Sequence, residues 1–168
     1  MQLALKKLFD GAEQTLPFEQ TLDLSEIEQW GDRPFGSPVI IRGQAENRAG
    51  IVTVRFTADY TLSASCARCL APVKQEKHQE FFHTIVKQLH QQQDDDYIVC
   101  ENGVLDLDEL AQDDILLELP IRMLCSEDCK GLCPICGCNL NEKQCDCQEP
   151  EWNPRRVKAF DNLEWPED

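Results

Sequence analysis

The strongest pattern in the chain is a two-residue alternation. Val52, Val54, Phe56, Ala58, Tyr60, Leu62 and Ala64 fall on one parity, and Thr53, Arg55, Thr57, Asp59, Thr61, Ser63 and Ser65 on the other. Successive side chains of a strand point to opposite faces, so the pattern predicts a long half-buried strand over 51–65. Val39, Ile41, Gly43 and Ala45 alternate likewise, and Glu46 to Gly50 reads as a turn. Residues 39–45 and 51–65 are therefore expected as an antiparallel hairpin. Upstream, Leu16, Phe18, Leu22 and Leu24 share a parity against Glu19, Thr21 and Asp23, which is another half-buried strand. Ser25 with Glu28 three later has the form of a capping box opening a short helical turn toward Trp30. Gly31 to Pro38 is a Gly/Pro-rich loop.

Downstream, Val73 to Lys87 predicts a returning strand. Phe81, His83 and Ile85 share one parity while Phe82 and Val86 take the other, which implies a bulge or burial on both faces. Gln91–Asp96 is a polar, acidic loop, and Tyr97 to Leu105 is expected as a short hairpin turning at Glu101-Asn102-Gly103. Asp106 caps a helix with Glu109 at its third position, Leu107, Leu110, Ala111 and Ile115 form its buried stripe, and Pro120 ends it. In the tail, Asn153 caps and Pro154 takes the first position of a short helix with Val157 and Phe160 as its apolar patch. The fold class that follows is α+β: an antiparallel sheet, a partly open barrel or meander, with one or two helices. A mainly β domain over 1–122 precedes a cysteine-rich zinc-binding module over 123–148 and a tail over 149–168.

The 168 residues and a hydrophobic fraction of 42% are enough for a modest core. The formal net charge is -15, which argues against broad binding to a phosphate backbone but leaves room for a local contact or a basic protein partner. Between Gln88 and Ile121 there is no Lys or Arg. At the N-terminus, Lys6 and Lys7 interrupt Leu3, Leu5 and Leu8, and no apolar core of signal length or membrane-spanning run follows. A cytoplasmic protein without a membrane partner is expected.

Ten cysteines in such a compartment point to metal or redox chemistry, because disulfides are rare there. Residues 125–147 hold many charged and turn residues and few apolar ones, so they cannot build a core of their own; their order must come from the thiols. Cys133 and Cys136 form a Cys-x-x-Cys stiffened by Pro134 and followed by Gly137, which can adopt a left-handed conformation. Cys145 and Cys147 return after the turn at Asn139–Glu142, and the four are assigned to one zinc site. Cys66, Cys69, Cys125 and Cys129 remain as a second set, joining the sheet to the end of the helix. The rival arrangement shares the six thiols of 125–147 differently and leaves Cys66 and Cys69 free or redox-active. Cys100 reads as a small hydrophobe in a strand, and Cys138 as an exposed thiol or a substitute ligand. Two zinc ions are the cofactors expected.

Other chemistry finds little support. His78, His83 and His90 read as ordinary surface or packed histidines, since no carboxylate or serine partner stands at helical or loop spacing. The acidic stretch 94–118 lacks the spacing of a calcium loop. No phosphate-binding glycine loop, Gly-x-Ser-x-Gly elbow or His-Glu-x-x-His occurs. A four-thiolate zinc has no open position for water. Neither an enzyme nor a small-molecule substrate is expected. The few basic groupings, Arg42, Arg48 and Arg55 on the hairpin and Arg155, Arg156 and Lys158 in the tail, are weak candidates for contact with a nucleic acid or a partner.

Four strings carry a resemblance. They are Cys66-Ala67-Arg68-Cys69-Leu70, Leu116-Leu117-Glu118-Leu119-Pro120, Cys129-Lys130-Gly131-Leu132-Cys133-Pro134-Ile135-Cys136-Gly137 with Asn139-Leu140-Asn141, and Asn153-Pro154-Arg155-Arg156. Together they resemble the bacterial YceD family, whose members are linked to accumulation of large-subunit ribosomal RNA and have a chloroplast counterpart in plants. The resemblance implies a non-enzymatic zinc-binding factor in large ribosomal subunit assembly, its partner a ribosomal precursor protein or a local rRNA segment. It also implies the pairing of Cys66 and Cys69 with Cys129, because some members lack the 133–147 thiols yet keep these. Cys138 departs from the residue usual in the family after Cys-x-x-Cys-Gly. Two other functions compete: a zinc-stabilised acidic adaptor unrelated to ribosomes, which would recover no ribosomal proteins in a pull-down, and a thiol redox or zinc-buffering protein, which would exchange its metal readily.

Overall fold

The computed structural model describes residues 1–88 and 97–147. Its elements in chain order are β1 (Gln2–Ala4), α1 (Lys6–Phe9), β2 (Thr15–Leu22), β3 (Val39–Arg48), β4 (Ile51–Ser65), β5 (Pro72–Val86), β6 (Tyr97–Val99), β7 (Val104–Asp106) and α2 (Leu107–Leu117). The main sheet runs β2-β3-β4-β5-β6; it is antiparallel through β5, and β6 joins parallel to β5. It is an open meander rather than a closed barrel. β1 and β7 form a separate antiparallel pair.

The alternation in the sequence sets which face is buried. Val39, Ile41 and Ala45 of β3, the Val52–Ala64 parity of β4 and Ile85 of β5 all point inward. Leu3, Leu5 and Leu8 from the N-terminal segment and Leu107, Ala111 and Ile115 from α2 complete this core. Gly43 belongs to the same inward parity for a steric reason. A Cβ there would lie 2.3 Å from the Arg55 carbonyl oxygen and 2.6 Å from Phe56 Cβ. The β3–β4 turn is tighter than the sequence suggests: β3 continues to Arg48, and Ala49 and Gly50 turn with φ of 54° and 87°, the two positive values of a type I′ hairpin.

Three expectations need correction, and one segment was not foreseen. Residues 25–30 form no helical turn. The Ser25 N–H donates to Asp23 Oδ1 at 2.9 Å, an Asx turn that takes the donor Glu28 would accept in a capping box. β5 contains no bulge; its register against β4 is unbroken from Pro72 to Ile85, and Phe82 simply faces solvent. Tyr97–Leu105 is not a hairpin, because β6 and β7 enter different sheets, although the chain does turn at 101–103. The first nine residues, in which no element was foreseen, form β1 and α1, held by pairing to β7 and by an ion pair between the N-terminal ammonium and Asp108. α2 begins as expected, with the Asp106 carboxylate accepting from the N–H groups of Asp108 and Glu109. The acidic loop 91–96 and the tail helix with Asn153, Pro154, Val157 and Phe160 lie outside the described residues.

The loop between β2 and β3 braces one end of the sheet. Asp32 Oδ2 accepts from Ser65 N–H at 2.8 Å, Ser63 N–H donates to Pro34 O, and Trp30 Nε1 donates to Ile121 O at 3.1 Å. The end of β4 and the segment after α2 are thereby held side by side, where the cysteines are.

Candidate metal centres

Cys66 follows β4 directly and Cys69 stands just before β5, so the two thiols sit on the turn joining the two longest strands. The turn closes through Leu70 N–H to Cys66 O at 2.9 Å and Cys66 N–H to Ala71 O at 2.8 Å, with Leu70 at a φ of 60°. Across from it, Met123 anchors in the main core while its carbonyl accepts from Ala67 N–H, and the chain then lays Cys125 and Cys129 against the turn. Arg68 makes the clasp. Its guanidinium donates to the carbonyls of Glu127 (3.0 Å) and Cys129 (2.9 Å), and its own carbonyl accepts from Leu132 N–H at 3.2 Å. Gly131 permits this approach: its φ is 77°, and a Cβ would stand 3.0 Å from the Arg68 carbonyl oxygen.

The sulfurs of Cys66, Cys69, Cys125 and Cys129 all lie within 4.8 Å of one another and could hold a metal ion. Cys66 to Cys129 measures 3.8 Å and Cys69 to Cys125 3.5 Å. An ion bonding four sulfurs at about 2.3 Å in a tetrahedron spaces them about 3.8 Å apart, whereas a disulfide requires about 2.05 Å. The donor set therefore fits a tetrahedral thiophilic ion. Cys66, Cys69 and Cys129 are buried, with Ala71, Val73, Leu124 and Leu132 packed around them.

The second set is Cys133, Cys136, Cys145 and Cys147, again with sulfurs within 4.8 Å of one another. Gly137 N–H closes the Cys133–Cys136 turn on Cys133 O at 2.9 Å, with Gly137 at a φ of 72°, the same form as the first turn. Asn141 links the two sets. Its Nδ2 donates to Cys129 Sγ at 3.2 Å while its Oδ1 accepts from Lys130 N–H at 2.8 Å. Cys138 is half-buried beside Cys136 and Cys145 but is not one of the four mutually close thiols. Cys100 is buried, and that burial pushes its thiol up, as suits a small hydrophobe.

Charge within each set is divided. Burial opposes ionisation of Cys66, yet N–H groups of Arg68, Cys69 and Cys125 outweigh it and bring the thiol down to about 6. Burial also opposes Cys129, and there the Asn141 amide and Gly131 N–H prevail in lowering it. Cys125, beside Cys129 and Cys69, is pushed up to about 12. In the second set the Cys138 N–H leads in lowering Cys136 to about 6, while Cys147, next to Cys136, rises to about 12. Thiolates this close repel one another, and a bound cation would relieve the repulsion.

Spacing did not reveal the supporting residues. Arg68 and Asn141 act through partners distant in sequence, and the signals available were an arginine inside Cys-x-x-Cys and an asparagine pair after Cys138. Two histidine partners were likewise missed: His78 meets Asp59 at 2.6 Å and His83 meets Asp114 at 2.7 Å, contacts made across strands and onto α2. The candidate arginines lie away from the thiols on the sheet's outer face. Arg42 pairs with Glu19 and Asp59, Arg48 with Glu46, and Arg55 lies over the Phe82 ring. Arg155, Arg156, Lys158 and His90 lie outside the described residues. Among those residues, no helix is long and apolar enough to cross a membrane.

Residues 54–164 match the family model described as large ribosomal RNA subunit accumulation protein YceD. The chain is 28% identical over 139 residues to the uncharacterized protein YlbN of Bacillus subtilis, covering 80% of each. It is 36% identical over 116 residues to the uncharacterized protein Rv2926c of Mycobacterium tuberculosis, covering 67% of this chain and 56% of that one. To the large ribosomal RNA subunit accumulation protein YCED homolog 1, chloroplastic, of Arabidopsis thaliana it is 40% identical over 47 residues, 28% of this chain and 15% of the relative. No solved structure matches.

Proposed function

The chain belongs to the YceD family, and from that premise we propose that it is a non-enzymatic, zinc-stapled factor in large ribosomal subunit assembly, needed for its rRNA to accumulate. The observation that carries this reading is that the family match over residues 54–164 contains both four-thiol sets. The names of the chloroplastic plant relatives point the same way.

Zinc is the ion the donors favour: four thiolates suit it, and its filled d-shell accepts a tetrahedron without penalty. Cys66, Cys69, Cys125 and Cys129 would hold one ion, and Cys133, Cys136, Cys145 and Cys147 the other. When bound, each ion supplies a rigid cross-link. Four protein ligands fill a tetrahedron, so the role assigned is structural and not catalytic. The two sites would carry a local charge of about -2 each, adding to an already acidic chain. Its partner is a ribosomal precursor protein or a local rRNA segment, and its place of action is the cytoplasm; the plant relatives are named chloroplastic. The competing adaptor and redox readings gain nothing specific from the geometry.

The test is a strain lacking the gene, with total RNA and ribosomal particles resolved on sucrose gradients. A fall in large-subunit rRNA relative to small, restored by the intact gene, is expected. A deletion strain with normal large-subunit rRNA and normal precursor particles would contradict the reading.

A further inference from the structure

The outer face of the main sheet is not uniformly polar. At the end remote from the two thiol sets, register places Ile51, Phe82, Tyr97 and Val99 on that face. Arg55 pairs with Phe82 across β4 and β5, and Thr84 pairs with Tyr97 across β5 and β6. In a sheet, paired residues share a face, and a residue two positions along is a diagonal neighbour within reach of an aromatic ring. Phe82 and Tyr97 are such diagonal neighbours. Their exposures of 55% and 40%, with 57% for Ile51 and 39% for Val99, make this a contiguous exposed apolar patch. Isolated exposed hydrophobes need no explanation, but a contiguous patch on a sheet face marks a surface for a partner.

The chemistry at the patch narrows the partner. The Arg55 guanidinium carbon lies 5.4 Å from the Phe82 ring centroid, and among the described residues Arg55 has no carboxylate partner. Along the rows joining β3 to β6 at this end, Arg48 and Arg55 stand against one carboxylate, Glu46, which pairs with Arg48. Glu80 stands one row further on the same face, diagonal to Arg55, so the patch is not a basic surface and Arg55 acts locally, at the Phe82 ring. Thr53 and Thr84 add hydroxyls between the apolar side chains. Flat rings exposed on a sheet and an arginine plane beside one of them are the features with which proteins stack unpaired bases and meet the intervening phosphates.

Resting on the ribosomal reading above, we propose that this face is a stacking platform for a short single-stranded RNA segment, with Phe82 and Tyr97 receiving successive bases and Arg55 and Arg48 the backbone. Because stacking dominates and two cations serve the phosphates, the affinity falls with salt no more steeply than a log–log slope of about -1.4, at roughly -0.7 per phosphate contact. Broad electrostatic capture is not part of the mechanism.

The experiment is fluorescence anisotropy of a labelled 12-nucleotide oligo(A) RNA against the full zinc-loaded chain, with a duplex RNA as comparison. Wild type is expected to bind the single strand in preference to the duplex. Phe82→Ala and Tyr97→Ala should each weaken binding roughly 5- to 100-fold, while Phe82→Trp retains it. All these side chains are exposed, and unchanged metal content and circular dichroism in the variants exclude misfolding. Equal binding of single strand and duplex, or Phe82→Ala and Tyr97→Ala proteins that bind like wild type, would overturn the proposal. So would recovery by wild type, but not by the double variant, of a ribosomal protein after RNase treatment, since the face would then be a protein site. The same alleles separate this inference from the one beneath it. If deletion lowers large-subunit rRNA and the double variant fully restores it, the platform is wrong and the ribosomal role stands. If deletion leaves rRNA unchanged while Phe82-dependent binding persists, the ribosomal role is wrong and the platform stands.

Discussion

Replacing Gly131 by alanine should damage the first thiol centre out of proportion to the size of a methyl group. Gly131 sits at a φ of 77°, a conformation costing an L-residue about 1 kcal/mol. Its added Cβ would also stand 3.0 Å from the Arg68 carbonyl oxygen, 3.5 Å from Arg68 Cβ and 3.6 Å from Arg68 carbonyl carbon. Arg68 cannot yield freely, because that carbonyl accepts from Leu132 N–H and its guanidinium holds the carbonyls of Glu127 and Cys129. Relieving the contact therefore strains or breaks the clasp, and loss of one such charge-assisted, part-buried hydrogen bond adds roughly 1–2 kcal/mol. The expected total is about 2–3 kcal/mol. Gly11 supplies the control: its φ is 71°, but a Cβ there meets nothing within 4 Å. Gly11→Ala should cost only the conformational part, about 1 kcal/mol. The assay is urea unfolding of both variants in the metal-loaded state, alongside competition with a chromogenic chelator. Gly131→Ala should be the less stable of the two and should release metal from one centre about tenfold more readily, 1.4 kcal/mol being a decade. Equal losses in the two variants, with unchanged chelator competition, would refute the assigned packing of Gly131 on Arg68.

Three further outcomes follow from other contacts. Asn141→Ala removes the amide that donates to Cys129 Sγ; hydrogen bonds to charged groups contribute about 1.5–3 kcal/mol, so chelator competition should show at least a tenfold easier loss of one metal and no change in the other. Ile115→Ala empties a fully buried position in α2 and should cost about 2–5 kcal/mol in denaturant unfolding, whereas Leu117→Ala, at an exposed position of the same helix, should cost under 1 kcal/mol. His78 should titrate above 6.5 by NMR, because Asp59 hydrogen-bonds and attracts its charged form, and Asp59→Asn should return it to the ordinary value. Since the folded value is raised, the stability contributed by that pair is fully present below pH 6.5 and fades as pH rises through the folded value; an unshifted His78 would remove the pair from the account.

Much of the sheet was legible because β3, β4 and β5 have one face buried and one wet, so the parity of Val52–Ala64 could be read residue by residue. The helix start was equally readable, as Asp106 caps through local contacts. What failed were features whose meaning depends on distant partners. Tyr97–Val99 and Val104–Asp106 look like two arms of a hairpin, yet the first pairs with β5 and the second with β1, partners distant in sequence. The Ser25–Glu28 pattern lost to Asp23, a competing acceptor two residues away. Phe82 suggested burial because it is apolar, and only the unbroken β4–β5 register shows that it faces outward. At the thiol centres, grouping by local spacing gave Cys133, Cys136, Cys145 and Cys147 directly. The set of Cys66, Cys69, Cys125 and Cys129 followed from elimination and left a rival open, since nothing local ties residues 66–69 to 125–129. The clasp that joins them, Arg68 to the carbonyls of Glu127 and Cys129, involves main-chain acceptors that no side-chain pattern could disclose.

Metal content per chain, measured by mass spectrometry on protein purified without added metal, decides whether the chain holds two four-thiolate zinc centres. The intact chain should carry two zinc ions, and Cys66→Ser with Cys69→Ser should carry one. An intact chain with less than one metal, or a variant that still holds two, would contradict the two-centre account.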